Sequence, residues 1–196
     1  AWRSIGTSHN TFALESGLDE VVHAGGHDPF ELRRKLLTHN PRALAVLDRA
    51  AELSGWGKPP EGRFQGMGYT DYLETFQAQV AEVSVSKRGK ITVHKITCVA
   101  DCGQVFNSHI AKQQLEGAIL YGLTAALKGE INVKNGQIVQ SNFDDYPMLK
   151  LKDTPEFNVH LMENHEAPGG LGEAGTPLIG PAVANAVFAA TGKRIG

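Results

Sequence analysis

Cysteine, clustered positive charge and long apolar runs are all scarce in this sequence. Cys98 and Cys102 are its only cysteines, too few for a disulfide framework or for the four thiolates of an iron–sulfur cluster. On a strand, positions four apart point the same way, so this C-x3-C pair reads either as a disulfide or half a metal site, or as two small buried residues. The formal net charge is −2, and the densest basic stretch, Ser86–Lys90, reads as a charged turn between strands. Nucleic-acid binding wants a basic face with interleaved aromatics, and no such face is present. The longest apolar-leaning segments, Ile110–Leu127 and Pro181–Thr191, are interrupted by polar side chains and fall short of the ~18 residues that span a bilayer. No secretory or twin-arginine signal opens the chain. It begins Ala1-Trp2 without methionine, so it is read as a piece whose N-terminus lies upstream, and a cytoplasmic or periplasmic location stays undecided. The eight histidines form no H-E-x2-H zinc motif. His23 and His27 have helical spacing, but Gly25-Gly26 breaks the helix that would align them. There is no G-x-S-x-G elbow and no Walker loop, and Gly66-Met67-Gly68 lacks the rest of a dinucleotide fingerprint.

What remains is an ordinary globular composition, 41% apolar with 22 glycines, enough for one domain or two small, closely packed ones. The opening third is read as three helices. Leu14, Leu18, Val21 and Val22 recur at helical spacing until Gly25-Gly26. Asp28-Pro29 and Asn40-Pro41 are each an N-cap followed by proline at the first helical position, with Glu31 completing a capping box in the first. Ser8 or Asn10 is a candidate cap for the first helix. Lys58–Tyr72, rich in glycine and proline, reads as a connection. Ala81, Val83 and Val85, then Ile91 and Val93, alternate as a β-hairpin, and the phase shift near Lys95 suggests a bulge. A helix follows over roughly Ile110–Leu127. Asn135-Gly136 marks a hairpin turn between Glu130–Val133 and Gln137–Gln140. Phe157, Val159 and Leu161 make one more strand, Pro168–Gly180 a loop, and Pro181–Thr191 a closing helix that stops at Gly192. Helices and strands do not alternate regularly, so the class is α+β, helices on mixed or antiparallel sheets. Within one domain, 1–57 forms a helical segment and 70–196 an α+β segment.

Three stretches could carry chemistry. The loop Ala167–Pro177 holds one ionisable group, Glu173. The small residues around it, Gly172 among them, let a ligand approach closely. Leu171, Ala174 and Leu178-Ile179 would make the setting apolar and the carboxylate a better base. The other reading is a solvated acid in a glycine loop. Asp101, Asn107, Gln114 and Gly117 form the second stretch. Gln114 and Gly117 share a helix face, and the glutamine amide can both donate and accept. Gly117, Ala118 and Gly122 thin the helix so that something can pack close. Equally, Asn107 may only cap the helix, and the glycines may serve helix contacts. In the third, Trp2–Asn10, Arg3 beside Gly6, Thr7 and Ser8 could hold an oxyanion, or the stretch is simply a helix start.

In this order the three stretches resemble the molybdenum-binding subunit of the xanthine oxidase and aldehyde oxidase family. The spacing Asp101, Asn107, Gln114-x-Glu116-Gly117 is similar to that family's cofactor-binding strand-to-helix element. Gly172-Glu173 resembles its Gly-Glu motif, whose glutamate is the catalytic base, and Trp2–Gly6 resembles its arginine loop beside the metal. The ordered set, more than any one motif, carries the resemblance, and it covers almost the whole chain. Trp2-Arg3-Ser4, Glu15–Glu20 and Asn142–Tyr146 look like the branch of isoquinoline 1-oxidoreductase beta subunits and bacterial aldehyde dehydrogenases. Ile5 stands where xanthine oxidases carry an aromatic, which argues against a purine substrate. The resemblance implies a C-terminal part of a molybdenum hydroxylase subunit that binds molybdopterin cytosine dinucleotide through Arg3, Gly6, Asn107, Gln114, Gly117 and Gly172. Glu173 would be the base, water the oxygen source, and an N-heterocycle or aldehyde the small-molecule substrate. Electrons would leave through [2Fe-2S] clusters on a small iron–sulfur partner subunit, and the upstream part of the same subunit would complete the cofactor site. By itself this chain is then expected to be inactive. The rival reading is a metal-free fragment with an assembly or structural role.

Overall fold

The structure, a computed structural model, describes residues 2–195. Its elements run α1 (Thr7–Ala24), α2 (Pro29–Leu36), α3 (Pro41–Ser54), β1 (Phe64–Tyr72), β2 (Thr75–Val85), β3 (Ile91–Asp101), α4 (Ser108–Leu127), β4 (Val133–Lys134), β5 (Gln137–Ile138), a 3-10 turn (Leu151–Asp153), β6 (Glu156–Leu161) and α5 (Thr176–Thr191). Local chemistry sets the opening helices. The Asp28 carboxylate accepts from the N–H groups of Phe30 and Glu31 at 2.8 and 3.1 Å, and Asn40 Oδ1 accepts from Ala43 at 3.2 Å. Each cap satisfies donors that the first turn leaves orphaned. Neither Ser8 nor Asn10 caps α1. Gly6 holds the cap position without a side-chain bond, and Ser8 Oγ instead donates to the Arg3 carbonyl at 2.9 Å, which folds the turn ahead of the helix.

Four strands form a mixed sheet in the order β1-β2-β3-β6, antiparallel except for the parallel β3–β6 pair. A parallel neighbour needs a crossover, and α4 lies on that crossover. The class is therefore α+β, with a mixed sheet. The expected bulge falls at His94: Glu82 pairs with Lys95 and Val83 with Val93, leaving His94 over. Asn135 and Gly136 take positive φ, 52° and 77°, as a two-residue turn of this hairpin type demands, but the strands it joins are only two residues each.

Two further expectations fail. Most of the Lys58–Tyr72 connection is strand β1. Its glycines mark tertiary contact, since a Cβ on Gly66 would lie 2.2 Å from Ala186 N and 2.3 Å from Ala182 O. Helix α5 rests directly on the strand there, and only glycine admits that approach. Helix α5 also begins at Thr176, five residues before the expected Pro181. Pro177 sits in the first turn, where no N–H is required. The N–H that Pro181 lacks would have met the Pro177 carbonyl one turn earlier, so a single early bond is lost and the helix continues to Gly192, φ 68°.

The sheet is buried on both faces. Ala81, Val83, Ile96 and Cys98 pack with Leu115, Ile119, Ile179 and Val183 from α4 and α5, while Ala78, Val80 and Val99 pack with Val46, Leu47 and Ala50 from α3. Both cysteines are buried and free, and burial pushes the Cys98 thiol up to about 12. A polar seam joins α1, α2, α5 and β1. Glu15 Oε2 accepts from Arg33 Nε at 2.8 Å and from the Tyr69 N–H at 3.0 Å. Asn185 Nδ2 donates to the Met67 carbonyl at 3.1 Å, and Arg194 bonds Asn185 and Asp19.

Candidate active site

The loop between β6 and α5 is held by residues from four distant segments. Arg3 donates through Nε (3.0 Å) and Nη2 to the Gly172 carbonyl, which also accepts from Gln114 Nε2 at 3.0 Å. Ser4, fully buried, donates Oγ–H to the Glu173 carbonyl at 2.7 Å. Thr75 Oγ1 donates to the Gly170 carbonyl at 2.8 Å, Gln79 Nε2 to the Gly175 carbonyl at 2.8 Å, and Gly170 N–H to the Leu73 carbonyl at 2.8 Å. A backbone so fully bonded has little freedom to reorient Glu173.

The Glu173 side chain is half-buried and meets Tyr72, whose O–H donates to Oε2 at 2.9 Å. Partial burial, and then the neighbouring carboxylate, raise the Tyr72 phenol above the ordinary tyrosine range, so it stays a protonated donor near neutrality. Of the apolar residues expected to surround Glu173, Ala174, Leu178 and Ile179 are wholly buried, and Leu171 and Ile179 belong to the core beneath the loop.

Arg3, Gln114, Gly172 and Glu173 thus stand together. The Arg3 guanidinium lies 5.7 Å from the Tyr121 ring centroid, within cation–π range. Gly117, one turn along α4 from Gln114, is exposed, and a Cβ there would meet nothing within 4 Å. Gly122 and Ala118 behave otherwise. A Cβ on Gly122 would lie 2.6 Å from the Thr176 carbonyl, and the Ala118 carbonyl accepts from Thr176 Oγ1 at 3.2 Å, so these two serve the α4–α5 contact. Asn107 caps α4, its Oδ1 accepting from Ile110 N–H at 3.0 Å. Gly6 closes the first turn of α1, its carbonyl accepting from Asn10 N–H at 3.2 Å. Asp101 is 3% exposed and bound by Arg42, Gly103 N–H and Asn164, an anchor inside the protein.

Sequence reasoning missed Tyr72, Ser4, Thr75 and Gln79. Tyr72 lay in the segment read as a connection, and nothing local marks its partner. Gln77 and Gln79 did leave a signal, since both fall on the face of β2 that Ala81 and Val83 give to the core.

Comparison with known proteins places the chain in a family. Residues 43–155 match the model of the molybdopterin cofactor-binding domain. The chain is 35% identical to the isoquinoline 1-oxidoreductase subunit beta of Brevundimonas diminuta, over 98% of its own length and 25% of the relative's. It is also 35% identical to the membrane-bound aldehyde dehydrogenase [pyrroloquinoline-quinone] of Gluconacetobacter polyoxogenes, over 98% of its length and 28% of that protein's. The chain therefore spans about a quarter of these relatives. Its fold matches the aldehyde oxidoreductase of Desulfovibrio gigas with a TM-score of 0.78 at 15% identity, covering 100% of this chain and 40% of that one. The chain belongs to the molybdopterin cofactor-binding domain family, that of the large subunits of xanthine oxidase and aldehyde oxidoreductase type.

Proposed function

We propose that this chain is the C-terminal part of a molybdenum hydroxylase large subunit and contributes the catalytic base, Glu173. The observation that carries this reading is the carboxylate itself, half-exposed on a rigid loop with one oxygen engaged. Tyr72 donates to Oε2, and among the described residues nothing donates to Oε1. Glu173 Oε1 accepts the proton of a water-derived nucleophile as that oxygen attacks an electron-poor carbon of an N-heterocycle or aldehyde. The names of the relatives, an isoquinoline oxidoreductase and an aldehyde dehydrogenase, support those two substrate classes. When bound, the molybdenum cofactor supplies the centre that takes up the substrate's electron pair.

The residues around Glu173 suit such a cofactor. Arg3 offers fixed positive charge and further N–H donors beyond those on Gly172, as phosphate recognition needs. Gln114 keeps its amide oxygen and one N–H for a pterin edge, and the bare surface at Gly117 lets a flat group lie against α4. Gly172 gives the loop its carbonyl anchor. Asn107 and Gly6 act by shaping the termini of α4 and α1. The cytosine dinucleotide form is the one implied by the family resemblance. With only two cysteines, both buried, this chain cannot carry [2Fe-2S] clusters, so these reside on a small partner subunit. The upstream part of the same subunit closes the cofactor site. Among the described residues no helix is long and apolar enough to cross a membrane.

Glu173→Gln in the complete, molybdenum-loaded subunit is the test. It keeps size and hydrogen bonding and removes basicity. Molybdenum content should be unchanged and turnover should fall by about 10²–10⁴-fold, the usual contribution of a general base. Near-wild-type turnover would sink the assignment. Molybdenum analysis of the full subunit separates this reading, which expects bound metal, from the alternative of a metal-free assembly domain, which expects none.

A further inference from the structure

We propose that Tyr72 is the positioning residue for Glu173, clamping Oε2 so that Oε1 alone is presented as the base. This rests on the reading of Glu173 given above. The loop's backbone is fixed by Arg3, Ser4 and Gln114, but those bonds all stop at carbonyl oxygens. They leave the torsions of the glutamate side chain free. The one side-chain bond to the carboxylate among the described residues is the 2.9 Å contact from Tyr72.

Tyr72 is itself tightly placed. It is the last residue of β1 and pairs with Thr75 across the two-residue turn Leu73-Glu74. Both turn residues take positive φ, 55° and 60°, a conformation that non-glycine residues adopt only when their surroundings enforce it. Those surroundings are the catalytic loop itself, since Leu73 accepts from Gly170 N–H and Thr75 donates to the Gly170 carbonyl. Turn and loop are thereby bonded to each other at Leu73 and at Thr75, and the phenol and the carboxylate are carried by one rigid unit. A neutral phenol that donates to one carboxylate oxygen fixes that oxygen in place and leaves the other unencumbered.

Tyr72→Phe removes one oxygen atom from a side chain that stays otherwise intact. In the complete, molybdenum-loaded subunit, molybdenum content and KM should hold while kcat falls by roughly ten- to a hundredfold, as for loss of a hydrogen bond to a charged group. A fall in kcat with KM and molybdenum content held is a split that a merely structural role would not produce. A second reading needs no turnover. With 3-fluorotyrosine placed at position 72, the ¹⁹F signal should titrate at lower pH once Glu173→Gln removes the neighbouring charge. An unchanged kcat in Tyr72→Phe, or a fluorine titration indifferent to Glu173→Gln, overturns the positioning role. Retained turnover in Glu173→Gln would instead overturn the base, which is a separate result.

Discussion

Asp101 closes β3 as a buried carboxylate that ties the sheet to α3. Arg42 grips it with both arms of its guanidinium, Nε at 2.9 Å and Nη2 at 2.7 Å, and Gly103 N–H and Asn164 Nδ2 add bonds at 3.0 and 2.6 Å. Burial by itself would raise this acid, but the bonds from Arg42, Gly103 and Asn164 outweigh it and hold the carboxyl below its ordinary value. A carboxyl that is depressed in the folded state stabilises the fold fully above its unfolded pKa, near 4. That contribution drains away as pH falls from there through the lower folded value. Asp101→Asn should therefore be less stable than the wild type by about 1.5–3 kcal/mol at neutral pH, the scale of hydrogen bonds to a charged group. The gap should close on acidification. Urea denaturation of both proteins in steps from about pH 7 to about pH 3 follows the difference directly, and a gap that stays constant over that range would remove Asp101 from the acid response.

Between elements, α5 rests on β1 without a side chain between them at Gly66. An added methyl at Gly66 would collide with backbone atoms of α5 at 2.2 and 2.3 Å, and neither partner can turn aside. Gly66→Ala should cost at least about 1–3 kcal/mol and lower the thermal midpoint accordingly. Gly117 makes the opposite case. It sits within α4 with open space where a Cβ would be, so Gly117→Ala should raise stability by about 0.5–1 kcal/mol. If the cofactor lies there, the same substitution should lower molybdenum content in the complete subunit, a pairing of gains and losses that a plain surface position would not show. These two glycines also explain what could be read from the sequence. The capped helices, the Ala81–Val93 hairpin, the bulge at His94 and the Asn135-Gly136 turn all follow from bonds between residues a few positions apart, and they were legible. Strand β1 was not, because its glycines answer to a helix more than a hundred residues later in the chain. Glu173 and Arg3 could be picked out by residue type and order. Tyr72 could not, since its partner is 101 residues away and tyrosine at the end of a strand has no local signature.

Across the molecule, the opening helices are joined to the sheet by charge. Arg33, 2% exposed, pairs with Glu15 at 2.8 Å and also reaches the carbonyls of Pro29 and Glu15. Arg33→Ala would leave Glu15 charged and buried without its cation, a loss of about 3–5 kcal/mol. Chemical denaturation of that variant should show the midpoint falling by a large fraction of its wild-type value, whereas Arg34→Ala, on an exposed pair with Asp48, should change stability by no more than about 1 kcal/mol. The bonds that hold the Glu173 loop have a consequence in time. Arg3 and Ser4 bond Gly172 and Glu173 across a separation of 169 residues, and the chain between them forms the whole sheet. Contacts of such span close only after the intervening structure has collapsed, because the entropy of looping must first be recovered elsewhere. The loop that carries Glu173 is accordingly among the last parts of this fold to assemble, and a refolding chain should regain its sheet and helices well before it fixes the Glu173 carboxylate in place.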